Sequence, residues 1–149
     1  MLGVAACIIA LSAQAATRQG GCYSGADIEA EQAIRFQTQV MVVSDICRDT
    51  TYTSFSQHVR EALAGYQRQM VDHFRRTGGG SGERVLDSFM TRLANEFSLA
   101  AGHQSVAELC QGSATLLATA NGFANSADFR HYIAAQMAAP NRPPYLACK

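Results

Sequence analysis

Apolar residues recur along this chain at steps of three and four, not two. Ala33, Phe36, Val40, Val43 and Cys47 share one face of a helix running from about Asp27 to Cys47. Ser24, three residues ahead of Asp27, suits its N-cap, and Asp27, Glu29 and Glu31 place negative charge in the first turns, where the helix dipole favours it. Ile34 and Met41 lie about 100° from the main stripe. That surplus predicts either burial on two sides or an apolar patch offered to a partner.

The same spacing predicts a second helix from about Ser54 to Arg76, striped by Phe55, Val59, Ala62, Tyr66, Met70 and Phe74, with Ser54 and Gln57 as its capping box. The run Gly78-Gly79-Gly80-Ser81-Gly82 stops it. Leu86, Phe89, Leu93, Phe97 and Ala100 mark a third helix closed by Gly102, and Ser105 with Glu108 opens a fourth along Val106, Cys110, Ser113, Leu117 and Ala120. Gly112 weakens that fourth helix internally. Asn121-Gly122 is a helix stop, and Ser126 is the expected cap of a fifth helix carrying Phe129, Ile133 and Met137. No useful length alternates with period two. The expectation is an all-α single compact bundle of about five helices with an extended, Pro-containing tail over residues 140–149.

The amino end reads differently. Met1 to Ala16 is uncharged and mostly apolar, too short to span a bilayer, and ends in the small-residue cleavage pattern Ala13-Gln14-Ala15. The expectation is a signal peptide over residues 1–15, export to the periplasm, and a single domain over 16–149. No Lys or Arg precedes the apolar core, although a basic region normally does; a start upstream of Met1 would supply one. A lipoprotein anchored at Cys7, after Val4-Ala5-Ala6, is the minor alternative. Removal of the leader removes one of five cysteines and leaves Cys22, Cys47, Cys110 and Cys148, an even set that in an exported chain implies two disulfides. Cys47 and Cys110 lie on apolar stripes and Cys22 and Cys148 in the terminal segments, so Cys47 with Cys110 and Cys22 with Cys148 is the preferred pairing. Their wide spacing lacks the close pairs of a zinc site, and the haem motif C-x-x-C-H is absent.

The chain has 149 residues, 48% hydrophobic and 16% charged, with 12 Lys+Arg against 12 Asp+Glu. Neutrality with interleaved signs leaves no electrostatic footprint for nucleic acid. After signal cleavage no segment has the length and apolarity of an integral membrane helix. Candidate chemistry is sparse. His58 with Glu61, and Asp128 with His131, stand three apart on their helices, so each pair suits two metal ligands or a base and its orienter, though neither belongs to a recognised ligand motif. His58 and His73 are about 22 Å apart at helical rise and cannot share a metal. Arg75-Arg76-Thr77 with the glycines that follow resembles a phosphate cradle but lacks the Lys-Ser/Thr ending and follows a helix, so an interhelical loop is expected. There is no G-x-S-x-G nucleophile motif. No catalytic residue, metal ligand or cofactor is assigned.

The blocks Phe36 to Cys47, Tyr52 to His58 and Leu86 to Glu96 resemble a group of small exported proteobacterial helical proteins of unknown function with four cysteines. The resemblance implies a Gram-negative periplasmic setting and no catalytic activity; 11 Arg to one Lys fits a GC-rich genome. Two functions are weighed. The preferred one is a non-enzymatic periplasmic module that binds a protein or envelope component. The alternative is a small metal-dependent enzyme or metal-binding protein using His58/Glu61 or Asp128/His131.

Overall fold

The computed structural model describes residues 21–78, 80–137 and Cys148. The expected leader and the tail over 140–149, Cys148 apart, lie outside the described residues. The described chain is all-α, without a strand, but it holds seven helices where five were expected.

The first, α1 (Gly25–Cys47), starts as its sequence requires. The Ser24 hydroxyl accepts the Asp27 N–H at 3.2 Å while the Asp27 carboxylate accepts the Ser24 N–H at 2.9 Å, a reciprocal capping box. It ends at Arg48, in the left-handed conformation at φ 53°, from which the chain turns back with the Asp49 N–H bonded to the Ser44 carbonyl. This helix is the axis of the molecule and packs against each of the others. Ile28, Ala30, Ala33, Ile34, Val40, Val42 and Val43 are all buried along it, so the surplus at Ile34 reflects burial on more than one side.

The single helix expected over Ser54–Arg76 is two: α2 (Thr51–His58) and α3 (Arg60–Gly78). Its start also lies earlier. Asp49 accepts both the backbone N–H and the hydroxyl of Thr51, at 2.8 and 3.0 Å, and Ser54 sits inside the first turns, donating its N–H to the Thr50 carbonyl. The break at Val59 has an external cause. The Ala62 N–H, which an unbroken helix would direct to the His58 carbonyl, donates instead to the Ser126 hydroxyl at 3.1 Å. A side chain inserted into the helical ladder is a recognised source of kinks.

The third expected helix is α4 (Gly82–Ala101), with Ser81 as N-cap and Gly102 as C-cap. The fourth divides at Ser113 into α5 (Val106–Gly112), opened by the expected Ser105/Glu108 capping box, and α6 (Ala114–Asn121). The last is α7 (Ser126–Met137). Its cap is Asn125, whose side-chain oxygen accepts the N–H groups of Ala127 and Asp128, because the Ser126 hydroxyl is already engaged with α3.

The core is aromatic at one end. Phe55 of α2, Phe123 of the α6–α7 turn and Phe129 of α7 are buried around the half-buried Phe36 of α1, with ring centroids 5.2–6.1 Å apart and mostly edge-on, the arrangement ring quadrupoles favour. Two disulfides close the fold in the expected pairing: Cys47–Cys110 joins the end of α1 to α5, and Cys22–Cys148 joins the approach to α1 to the carboxyl end. Constraining the unfolded chain over 63 residues contributes about 4 kcal/mol by chain entropy. The outer bridge spans 126 residues, but the inner bridge shortcuts half of that path, so its added constraint is similar.

Candidate functional site

The two His/carboxylate pairs singled out from the sequence come to different surroundings. His58 closes α2 and Glu61 opens α3, so they stand on either side of the Val59 break. Both are exposed and line an open cleft of about 390 Å³ with Gln57, Arg60, Asn125 and Ser126. Asp128 is engaged in its own helix start, where its Oδ2 accepts the Ala124 N–H at 3.1 Å, and His131 one turn on is exposed. Among the described residues no group of three or more His, Cys, Asp or Glu side chains converges as a metal-binding set.

The most highly connected polar cluster was not singled out from the sequence. Asp27, at the first turn of α1, is 1% exposed and faces α3, where Gln69, His73 and Arg76 occupy successive turns of one face. Its carboxylate accepts the Gln69 amide at 2.7 Å and the Arg76 guanidinium at 3.0 and 3.1 Å, besides the Ser24 N–H. Burial alone would raise the Asp27 carboxyl; the hydrogen bonds from Ser24, Gln69 and Arg76 outweigh it and hold the group well below the ordinary carboxylate range. His73, also 1% exposed, brings Nδ1 to 3.2 Å from the same carboxylate, but the ring is not aligned for a hydrogen bond and Nδ1 has no hydrogen-bond partner among the described residues. The contact is therefore a close electrostatic approach.

One turn along α1, Glu31 is a second buried carboxylate. It pairs with Arg35, whose guanidinium also lies 3.8 Å from Glu96 of α4. Tyr23 lies over this region, its ring centroid 4.1 Å from that of His73. Burial first, then the nearby Glu31 and Asp27 charges, raise the Tyr23 hydroxyl above its usual range. Asp27 with its partners clamps the start of α1 to the second half of α3, while the Glu31–Arg35 pair lies within α1 and reaches toward α4. With Asp27 and His73 closed to solvent, the cluster is a fastening in this conformation, not an open reaction site.

A third feature is apolar. Leu99 is 72% exposed near the end of α4 and Val106 is 60% exposed at the start of α5, on either side of the turn through Gly102 and His103. The short α5 has only Leu109 buried, and Cys110 beside it carries the bridge to α1.

Among the described residues no helix is long and apolar enough to cross a membrane. Two disulfides fit an oxidising, extracytoplasmic compartment. Compared with known proteins, the chain matches no family model, no curated protein sequence and no solved structure.

Proposed function

We propose that this protein is a non-enzymatic periplasmic module, exported by a leader over residues 1–15, that binds a protein or envelope component through its α4–α5 end. The observation that carries the reading is the exposure of Leu99 and Val106 on either side of one turn, on a helix pair fastened to the molecular axis by Cys47–Cys110. Large apolar side chains held in water beside a covalent staple suit a contact surface whose shape is set before the partner arrives, which lowers the ordering cost of binding. The two disulfides support the exported setting.

The test is site-specific photocrosslinking in the periplasm from positions 99 and 106, with position 87 on α4, which is exposed and polar, as control. The reading expects one saturable adduct from 99 and 106, absent from 87; the adduct from 99 is lost when Val106→Asp is added, and that from 106 when Leu99→Asp is added, each in protein of unchanged melting temperature. Equal labelling at all three positions contradicts it. So does stoichiometric metal on the purified protein that disappears in His58→Ala or His131→Ala, which would favour the metal-dependent alternative.

A further inference from the structure

The two disulfides are not equivalent. Cys47 and Cys110 are half-buried, each on a helix packed against the core. Cys22 and Cys148 are both exposed and lie outside the helices. Thiol–disulfide exchange needs in-line approach of a thiolate to one sulfur, so accessibility separates the two bridges before any difference in potential does. The exposed bridge also sits one residue from the buried ionic clamp. Cys22 precedes Tyr23, and Cys148 donates its backbone N–H to the Tyr23 carbonyl at 3.0 Å, so both half-cystines hold the residue whose ring lies over His73.

We propose that Cys22–Cys148 is a redox clasp: a dithiol reductant able to close its own cyclic disulfide opens it selectively, Tyr23 is released, and His73 becomes accessible while the bundle stays folded. In the first step a donor thiolate attacks one sulfur of the bridge, giving a mixed disulfide and releasing the other cysteine as a thiolate that takes up a proton. The donor's second thiol then attacks its own mixed disulfide. Two electrons and two protons thus pass to Cys22 and Cys148, and the donor leaves oxidised. The clamp behind Tyr23 persists on reduction, because the Ser24/Asp27 capping box and the Asp27 bonds to Gln69 and Arg76 require neither cysteine. The opening is therefore confined to the approach to α1 and the face of His73. The fold survives because Cys47–Cys110 and the aromatic core lie elsewhere.

The histidines supply the readout, since His58, His103 and His131 are exposed and His73 alone of the four is buried. The full exported protein is titrated with dithiothreitol, thiols are trapped by alkylation, and histidines are labelled with diethyl pyrocarbonate and mapped by mass spectrometry. Cys22 and Cys148 are expected to become alkylated on the order of tenfold faster than Cys47 and Cys110. In that window His73 changes from protected to reactive with helical circular dichroism retained. A Cys22→Ser/Cys148→Ser variant shows the same reactive His73 without reductant. Simultaneous appearance of all four thiols, loss of helicity when the first pair opens, or a His73 that stays protected in both the half-reduced protein and the variant overturns the proposal.

Discussion

Asp27 shows how much one residue's meaning depends on what folds against it. In the sequence it is a first-turn acid favoured by the helix dipole. In the structure it is also the shared acceptor for Ser24, Gln69 and Arg76 and the near neighbour of His73. The dependence of stability on pH follows in sign. Its carboxyl is held below the ordinary range when folded, so at low pH the unfolded chain binds the extra proton. The contribution is fully present above the unfolded value of roughly 4 and is lost as pH falls below it. Urea unfolding from pH 2 to 7 should show stability dropping below about pH 4. Asp27→Asn should cost roughly 2 kcal/mol at pH 7 and flatten that acid limb; an unchanged limb in the variant would mean that other carboxylates set it. The first-turn position of Asp27 was legible in the sequence, but the role was not, because Gln69, His73 and Arg76 lie more than 40 residues away. A signal for His73 did exist. It follows Tyr66 and Met70 by seven and three residues on the apolar stripe of α3, a position that sets it apart from the three surface histidines.

At the scale of elements, local chemistry located most helices and tertiary contacts moved their ends. The serine caps of α1, α4 and α5 are written in their own sequences. The break between α2 and α3 is not, since His58-Val59-Arg60 contains neither Gly nor Pro, and its cause is the hydroxyl of Ser126, 64 positions from Ala62. The division of the fourth predicted helix was partly legible through Gly112. Ser126→Ala should destabilise the fold by roughly 1 kcal/mol, as loss of a capping oxygen does, and hydrogen exchange should be accelerated at the Ala62 amide more than at neighbouring α3 amides. The α3–α4 contact makes a second prediction. A Cβ on Gly82 would meet the backbone carbonyl of Val71 well inside van der Waals distance, whereas one on Gly65 would touch only the guanidinium ends of Arg130 and Arg68, at 3.7 and 3.9 Å. Gly82→Ala should therefore lower stability by about 1–3 kcal/mol. Gly65→Ala, in the interior of α3, should raise it by about 0.5–1 kcal/mol. Thermal melts of the two variants should move in opposite directions.

For the whole molecule, an axial helix gathers the others around it and two covalent bridges close the ends. The pairing was legible because the stripe positions of Cys47 and Cys110 direct them inward, leaving Cys22 and Cys148 to each other. The surface was less legible, since exposure at Leu99 and Val106 depends on where the α4–α5 turn sits relative to α1. Each bridge constrains the unfolded chain by about 4 kcal/mol, a large share of the roughly 5–15 kcal/mol of an ordinary domain. Cys47→Ser/Cys110→Ser should accordingly lower the melting temperature steeply, even where the outer bridge remains intact.

The central claim, an exported helical domain locked by two specific disulfides, is tested most directly by non-reducing peptide mapping of the protein isolated from its own cells by mass spectrometry. The expected result is a chain beginning at Ala16 with Cys22 linked to Cys148, Cys47 linked to Cys110 and no free thiol. A chain that retains residues 1–15 and carries its cysteines reduced, or any other pairing of the four, would contradict it.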